Sequence, residues 1–327
     1  MEMSSKPNTT LDNWSNPVVP QTVEAKKKSH GWLFVLLIVI SVIWLSQNSS
    51  ESGKVYESLS AAAIPVREAL MNHEKEVTVR YRSDTKRTSS ILTGILSPVN
   101  QDLNEIYDLA TEHTGNPNGG DQLSLWTNVK QATMTSVESG KGYINTLRIE
   151  LEYSVTKEQE EQLRTKVASV VRSLNLTGKT DYEKVRLIYQ WICNHVTYDY
   201  AHLYDEADQM KYTAYNAAIK GTAVCSGYAQ LFYRMALSAG LEARIQINDS
   251  HAWNLVKLGG QYYYCDTTWD SGLPESQYQY FLKGQIDFSQ HPSSIRIGLG
   301  KSNSLYNVAL KLPVSMSAYS LQASLWR

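Results

Sequence analysis

The sequence predicts an α+β fold, in which a run of helices precedes a run of antiparallel strands. Three amphipathic helical patterns lie between residues 156 and 239, and alternation with a period of two follows from residue 243 to residue 267. Helices followed by strands, rather than helices alternating with strands, are typical of α+β proteins. The chain of 327 residues is long enough for one or two domains with a sizeable core.

The overall charge gives no reason to expect a nucleic-acid partner. Apolar residues make up 42% of the chain, charged residues make up 19%, and the formal net charge is -1. This balance is typical of a globular protein, and it lacks the basic excess with which proteins bind phosphate backbones. We therefore expect no nucleic acid as a partner, and the sequence leaves the oligomeric state open.

An apolar stretch near the N-terminus predicts a membrane anchor. Residues 32–45 carry no charge, and Trp32 and Trp44 lie near the two ends, as interface tryptophans do. At about 1.5 Å per residue, this stretch with its flanks just spans a hydrocarbon core of roughly 30 Å. Three lysines precede the stretch and no such cluster follows it, which keeps the N-terminus in the cytoplasm. We expect a single-pass signal-anchor helix; a cleaved signal peptide is the alternative.

Changes of pattern divide the chain into five predicted segments. These are a disordered cytoplasmic tail (1–30), the transmembrane helix (31–47), an extracytoplasmic α+β domain (48–155), a helix-and-hairpin domain (156–290) and C-terminal strands that complete or flank its core (291–327). Within the third segment, Glu76–Ser83 and Tyr143–Val155 alternate as strands do. No chemical motif is found there.

The third helical pattern places a cysteine at its start. The first two helices open with capping boxes at Thr156 and Thr180. The third begins in "GTAVCSGYAQLFY", where Thr222 as N-cap would put Cys225 at N3 in the first turn. A thiol there lies at the positive end of the helix dipole, which favours the thiolate. The position alone is more typical of a buried structural cysteine than of a nucleophile.

A hairpin supplies candidates for a base and for the acid that orients it. "SHAWNLVKLGGQYYYCDTTWD" contains two alternating strands around a Gly-Gly turn. With a two-residue turn, Leu258 faces Gln261, and His251 and Asp266 become diagonal neighbours on one face. An imidazole and a carboxylate so placed can share a hydrogen bond that fixes the tautomer and supports the imidazolium.

The other cysteines are interpreted as structural. The hairpin register puts Cys265 on the face opposite His251, although a three-residue turn would bring it to the same face. Cys193 lies within the second helical stripe and is expected in the core. Three cysteines are too few for a disulfide framework. Zinc bound by Cys225, His251 and Asp266 is a weak alternative, because no short-spaced ligand pair is present; we expect no metal and no cofactor.

Three blocks of the sequence resemble the transglutaminase-like superfamily, and in particular its bacterial, often extracytoplasmic branch. They are "YEKVRLIYQWICNHVTYD", "GTAVCSGYAQLFYRMALSAGLEAR" and the hairpin quoted above. The resemblance covers roughly residues 156–288 and implies a papain-like fold, in which a helix bearing the cysteine packs on an antiparallel sheet bearing the histidine and the aspartate. It implies that Cys225 is the nucleophile, His251 the general base and acid, and Asp266 the orienting carboxylate.

The resemblance also implies an activity and leaves one element open. It implies a cysteine enzyme that acts on amide bonds through an acyl-thioester, by crosslinking, deamidation or hydrolysis. The predicted membrane anchor and exported location make envelope peptides or proteins the expected substrates. A binding or scaffold domain without turnover, in cell-wall or division assembly, is the alternative. Related enzymes complete the oxyanion hole with an upstream side chain, but Ile219 cannot donate a hydrogen bond. The candidates for that second donor are Tyr215, Asn216 and Tyr198.

Overall fold

The structure, a computed structural model, describes residues 53–87, 98–140, 142–288, 291 and 304–321. The predicted tail and the predicted transmembrane helix lie outside these residues. Within the described part of the chain, no helix is both long enough and apolar enough to cross a membrane. The predicted boundaries near residues 155 and 290 lie inside one compact unit that runs from Ser52 to Arg327.

The N-terminal part of this unit is a four-stranded sheet with short helices. Its elements are β1 (Val55–Tyr56), α1 (Leu59–Met71), β2 (Glu76–Ser83), α2 (Pro98–Ala110), a 3₁₀ turn (Gly120–Gln122), α3 (Leu123–Trp126), β3 (Thr127–Glu138) and β4 (Tyr143–Tyr153). The strand order is β1-β2-β4-β3; β1 runs parallel to β2, and the other neighbours are antiparallel. Both predicted strands of this region are therefore confirmed, as β2 and β4.

Two capped helices follow, as predicted. Helix α4 spans Lys157–Ser173 and α5 spans Asp181–His195. Thr156 and Thr180 each accept a hydrogen bond from the backbone N–H at N3 and receive the reciprocal capping-box contact. A capping box satisfies two of the backbone donors that a helix start would otherwise leave unpaired, so these two boundaries are set by local sequence.

The segment that leads into the third helix differs from the prediction at its cap. Strand β5 (Thr197–Tyr198) pairs in parallel with β6 (Thr222–Ala223), and α6 then runs from Cys225 to Ser238. Thr222 is not the N-cap, because it is extended and paired with Thr197; Val224 is the N-cap, without a side-chain hydrogen bond. Cys225 is consequently at N1 rather than N3. Between β5 and β6 lie a 3₁₀ turn (Met210–Tyr212) and a π-helix (Asn216–Lys220).

The predicted hairpin is present with its predicted register. Strands β7 (Ala243–Ile247), β8 (Ala252–Leu258) and β9 (Gln261–Cys265) form an antiparallel sheet in that order. Leu258 faces Gln261, and Gly259 and Gly260 turn the chain with φ of 57° and 88°. Two-residue hairpin turns with both φ values positive strongly favour glycine, which explains why this register is fixed.

The described C-terminal part contains short helices where strands were predicted. Its elements are two 3₁₀ turns, Ser304–Asn307 and Ala309–Lys311, and a single bridge between Val314 and Tyr262 of β9. Within the described residues 304–321, the chain thus adjoins the β7-β8-β9 sheet through this bridge. Gly284 permits the close approach of this tail, since a Cβ there would lie 2.3 Å from the backbone of Ser317.

Helix α6 is the central element of the core. All residues from Gly227 to Leu237 are buried, so the helix is enclosed on every side rather than amphipathic. Two ion pairs fix it and the adjoining sheet to earlier parts of the chain. Arg234 of α6 binds both carboxylate oxygens of Glu160, at 2.7 and 2.8 Å, and Arg244 of β7 binds Asp121, at 2.8 and 3.0 Å. The cysteine-bearing helix is therefore held in a rigid frame.

Candidate active site

Cys225 lies at the first residue of a buried 14-residue helix, and its side chain is only partly covered. Here the backbone N–H groups of the first turn have no intrahelical partner, and the helix dipole favours negative charge. Gly227, two residues after Cys225, allows Ala223 and the backbone of Thr213 to lie close to this turn. A Cβ on Gly227 would lie 2.7 Å from the Cβ of Ala223 and 2.7 Å from the carbonyl oxygen of Thr213.

His251 and Asp266 share the hydrogen bond that the hairpin register predicts. The Nε2 atom of His251 lies 2.6 Å from Oδ2 of Asp266, and both side chains are almost fully buried. The other carboxylate oxygen, Oδ1, accepts the backbone N–H groups of Thr268 at 2.8 Å and Trp269 at 3.3 Å. Because Nε2 is engaged with Asp266, the imidazole presents its other nitrogen, Nδ1, to Cys225.

The electrostatics of the pair favour a charged imidazole. Burial alone lowers the pKa of His251, but the charge and hydrogen bond of Asp266, followed by the hydrogen bond and charge of Cys225, raise it to about 10. For Asp266, burial raises the pKa, but His251 and then His291 lower it to about 2. At neutral pH the site therefore holds an imidazolium beside the sulfur and a carboxylate behind it.

Trp269 covers the outer side of the imidazole. Its indole Nε1 lies 3.1 Å from Nε2 of His251, and its ring meets the imidazole edge-on, with centroids 6.1 Å apart. The indole N–H of Trp269 can only donate a hydrogen bond. Nε2 of His251 cannot accept it while Nε2 carries a proton that it donates to Asp266. We therefore interpret Trp269 as a shield that limits water access to the His251–Asp266 hydrogen bond.

A cleft opens beside His251. It has a volume of about 800 Å³, and its wall combines neutral polar side chains with Tyr198, Tyr200, Leu203 and Trp269. Among the described residues that line it, His251 is the sole ionisable side chain besides cysteine and tyrosine. A site of this kind suits a substrate that is uncharged where it enters the cleft.

The other two cysteines are placed as the sequence predicted. None of the three cysteines forms a disulfide, and Cys193 and Cys265 are buried while Cys225 is partly exposed. Burial, with smaller contributions that include the charge of Asp270, raises the pKa of both Cys193 and Cys265 well above the ordinary value. Cys265 pairs with Asn254 in the sheet register and therefore lies on the face opposite His251, as predicted. Buried thiols of raised pKa are poor nucleophiles.

The three candidates for the second oxyanion donor occupy different environments. The hydroxyl of Tyr215 is committed to Oε1 of Gln162 at 2.9 Å, and Asn216 opens the π-helix. Tyr198 lines the cleft with His251, and its strand neighbour is Ala223, two residues before the cysteine. Burial and the nearby charge of Cys225 raise the pKa of Tyr198 to about 12, so its hydroxyl is a donor at neutral pH.

Among the described residues, two groups of side chains have the composition of a metal site. The first consists of His251, Asp266 and His291, and the second of Asp199, His202 and Asp208. In the first, the nitrogens of His251 and His291 lie 2.6 and 2.8 Å from Oδ2 of Asp266. Ligands that share a zinc ion at about 2.0–2.1 Å lie roughly 3.3 Å apart, so these are hydrogen-bond separations. In the second, Asp199 already accepts Nδ1 of His202 at 2.9 Å.

His291 is the site residue that sequence reasoning missed. It lies 25 positions beyond Asp266, and no strand or helix pattern leads to it. Its approach to Asp266 depends on the path of the chain after β9. A buried histidine three residues after Phe288 carries no local signal that distinguishes it from a surface histidine.

The comparisons with known proteins agree with this geometry. The family model described as "Transglutaminase-like superfamily" matches residues 168–267, which include Cys225, His251 and Asp266. This segment is therefore similar to the transglutaminase-like superfamily. The matched segment begins within α4 and ends just after β9.

The chain is also similar to curated proteins. Kyphoscoliosis peptidase from Homo sapiens is 34% identical over 143 residues, which is 38% of this chain and 21% of the relative. The protein of that name from Mus musculus is 32% identical over 142 residues, with the same coverage. The match therefore spans about a fifth of the length of these relatives. A crystal structure titled as a TGase shares 13% identity and a TM-score of 0.30, over 62% of this chain and 53% of that one.

Proposed function

We propose that the protein is a cysteine-dependent enzyme that cleaves or exchanges carboxamide bonds through an acyl-thioester on Cys225. The observation that carries the proposal is the sequence of contacts from Cys225 at a helix N-terminus, through His251, to Asp266 at 2.6 Å. A nucleophile, a base in contact with it and a third group that orients the base are the parts that covalent acyl transfer requires. Similarity to the transglutaminase-like superfamily supports the same chemistry.

Each side chain then has a defined task. The Sγ atom of Cys225 attacks the carbonyl carbon of the amide and forms a tetrahedral intermediate. When the C–N bond breaks, His251 gives its proton to the departing ammonia or amine, and a thioester remains. Water or a second amine attacks the thioester, His251 takes up the proton of this nucleophile, and Cys225 is released. Asp266 keeps Nδ1 of His251 directed at the sulfur throughout.

Tyr198 is the proposed side-chain donor of the oxyanion hole. It faces the cleft beside His251, it senses the charge of Cys225, and its hydroxyl stays protonated at neutral pH. The backbone N–H of Cys225 is the second donor, since N1 of a helix has no intrahelical acceptor. Of the three candidates from the sequence, Tyr198 alone combines these features.

The acceptor decides between hydrolysis and crosslinking. The curated relatives are named as peptidases, which makes water the first acceptor to test. The experiment is to incubate the purified protein with peptides that contain glutamine, asparagine or stem-peptide amides, and to measure released ammonia, new amine termini and isopeptide products. Release that is lost in Cys225→Ala and kept in Cys193→Ala supports the proposal. Equal release in both variants contradicts it. Binding of a peptide without any release would favour the scaffold alternative.

We also propose, from the sequence alone, that the enzyme acts outside the cytoplasmic membrane on envelope peptides or proteins. The apolar residues 32–45 and the lysines before them support a single N-terminal anchor with the N-terminus in the cytoplasm. Protease added to intact cells should then cut the C-terminal part of the chain. Complete protection of that part, with cleavage after permeabilisation, would contradict this topology.

A further inference from the structure

The carboxylate of Asp266 receives a second imidazole in addition to His251. Nε2 of His291 lies 2.8 Å from Oδ2 of Asp266, the same oxygen that binds His251 at 2.6 Å. With the two backbone N–H groups on Oδ1, Asp266 accepts four hydrogen bonds. Every strong acceptor position of this carboxylate is therefore in use, and its orientation is fixed from two sides.

His291 is held in a dry, aromatic environment. Its side chain is fully buried, and its ring stacks on Phe288 with centroids 4.2 Å apart and planes 14° from parallel. Its backbone N–H donates to the carbonyl oxygen of Phe288 at 2.9 Å, which forms the turn that aims the ring at Asp266. The ring also lies 5.6 Å from that of Trp253 in β8.

The surroundings determine the tautomer of His291. Its Nδ1 atom is buried and has no hydrogen-bond partner among the described residues. A proton on Nδ1 would be a buried donor without an acceptor, which costs about 1–3 kcal/mol, whereas an unprotonated Nδ1 loses less. Nε2 therefore carries a proton, which Asp266 accepts.

We propose that His291 is a positioning residue, an Nε2–H donor that holds the Asp266 carboxylate in the orientation that His251 needs. The inference rests on the proposed function, because it concerns the same site. His291 touches neither the cleft substrate nor the sulfur, so it acts through Asp266. A carboxylate that accepts more hydrogen bonds is favoured over its protonated form.

Several other ionisable groups surround Asp266 and must be considered in any pH measurement. They are His251, Cys225 beside it, Asp270 in the following turn, Cys193 of α5, Cys265 of β9, Tyr198 of β5 and Tyr280. Burial raises the pKa of the two buried cysteines and of both tyrosines, so these groups keep their protons from pH 4 to pH 9. Burial also raises the pKa of Asp270, but this group is common to all variants, and its titration cancels when they are compared.

The first test compares two substitutions of His291. His291→Gln can keep an N–H donor near the position of Nε2, and His291→Leu fills similar space without a donor. The readout is the rate of Cys225 alkylation by iodoacetamide from pH 4 to pH 9, located by mass spectrometry. We expect His291→Leu to lower the alkylation rate at pH 6 by roughly tenfold, as loss of an outer-shell partner of a histidine does. The rise of the alkylation rate on the acid side of the pH profile should also move to higher pH. In His291→Gln, this rise should return to its position in the unsubstituted protein.

A purely structural role would give a different pattern. It would lower the stability of both variants but leave the acid side of the pH profile for Cys225 alkylation unchanged in the protein that is folded. That result would overturn the proposal. An unreactive Cys225 in the unsubstituted protein would instead overturn the proposed function, so the two failures are distinguishable.

The second test uses the unsubstituted protein and therefore does not depend on whether a variant folds. In protein labelled with ¹⁵N-histidine, NMR should show a proton on Nε2 of His291 that is hydrogen-bonded to Asp266. A ring that carries its proton on Nδ1 and none on Nε2 would overturn the proposal.

Discussion

His251 directly precedes the first strand of one hairpin and Asp266 directly follows the second, 15 positions further on, and their side chains meet at 2.6 Å. The contact is a consequence of strand geometry, since side chains on one face of an antiparallel pair are neighbours across the strands. It also reverses the effect of burial on the imidazole, whose pKa rises to about 10 rather than falling. This one contact therefore couples the fold to the charge state of the site.

The raised pKa of His251 predicts a specific dependence of stability on pH. The folded-state pKa of about 10 exceeds the ordinary value of 6.5, so the proton stabilises the folded state fully below about pH 6.5. This stabilisation is lost as the pH rises from there through 10. The difference in melting temperature between the unsubstituted protein and His251→Gln should thus be larger at pH 6 than at pH 10, as measured by circular dichroism.

The exposed His195 at the end of α5 provides the matched control. His195→Gln should show no comparable dependence of its melting-temperature difference on pH. A difference for His251→Gln that stays constant from pH 6 to pH 10 would show that the imidazole gains no proton on folding.

Tyr198→Phe should reduce turnover without abolishing alkylation of Cys225. The substitution removes one hydroxyl from the proposed oxyanion hole, and loss of one such donor costs roughly 10²–10³-fold in kcat. The Michaelis constant should change little, because the donor acts mainly in the transition state. Tyr215→Phe is the control, since that hydroxyl is engaged by Gln162. A larger loss in Tyr215→Phe than in Tyr198→Phe would reassign the donor.

Gly227→Ala should displace the first turn of α6. The new Cβ would lie 2.7 Å from a side-chain carbon and 2.7 Å from a carbonyl oxygen, both in rigid parts of the chain. Overpacking of this kind costs about 1–3 kcal/mol in the free energy of unfolding, and the shift of Cys225 should also lower activity. Chemical denaturation and a peptide-release assay measure the two effects. Gly140→Ala, where a Cβ meets nothing within 4 Å, should leave both unchanged.

Lys211→Met should loosen the wall of the cleft. The ammonium of Lys211 is buried and donates to the carbonyl oxygens of His202, Leu203 and Asp205, at 2.6, 3.2 and 2.6 Å. Hydrogen bonds to a charged group are worth roughly 1.5–3 kcal/mol each, and methionine offers none. We expect faster amide hydrogen exchange in residues 202–205 and a higher Michaelis constant, because Leu203 lines the cleft.

The control for Lys211 is the exposed Lys220, whose substitution by methionine should change neither quantity. Alkylation of Cys225 by a small reagent should also be unaffected in Lys211→Met. Hydrogen exchange in residues 202–205 that matches the unsubstituted protein would show that the ammonium does not hold this loop.

Local sequence was sufficient for the features that depend on short-range geometry. The hairpin register follows from strand alternation and from two glycines at positions that require positive φ. The starts of α4 and α5 follow from capping boxes at Thr156 and Thr180. Because the register was correct, the His251–Asp266 hydrogen bond and the separate position of Cys265 could be predicted as well.

The features that sequence reasoning missed depend on contacts between distant parts of the chain. Thr222 has the chemistry of an N-cap, but it pairs with Thr197, and this parallel pairing outcompetes the cap. The choice of Tyr198 required its position beside Ala223, and the role of His291 required the path of the chain after β9. Neither contact has a periodic or short-range pattern that could reveal it.

The central claim is that Cys225 forms an acyl-thioester with the help of His251, and one measurement tests it directly. The purified protein is mixed with p-nitrophenyl acetate at pH 7, and the adduct is located by peptide mass spectrometry before and after treatment with hydroxylamine. We predict a rapid burst of nitrophenol and a hydroxylamine-sensitive acetyl group on Cys225, absent from Cys193 and Cys265 and formed at least tenfold more slowly in His251→Gln. An acetyl group spread over all three cysteines, or one that forms on Cys225 equally fast in His251→Gln, would contradict the account.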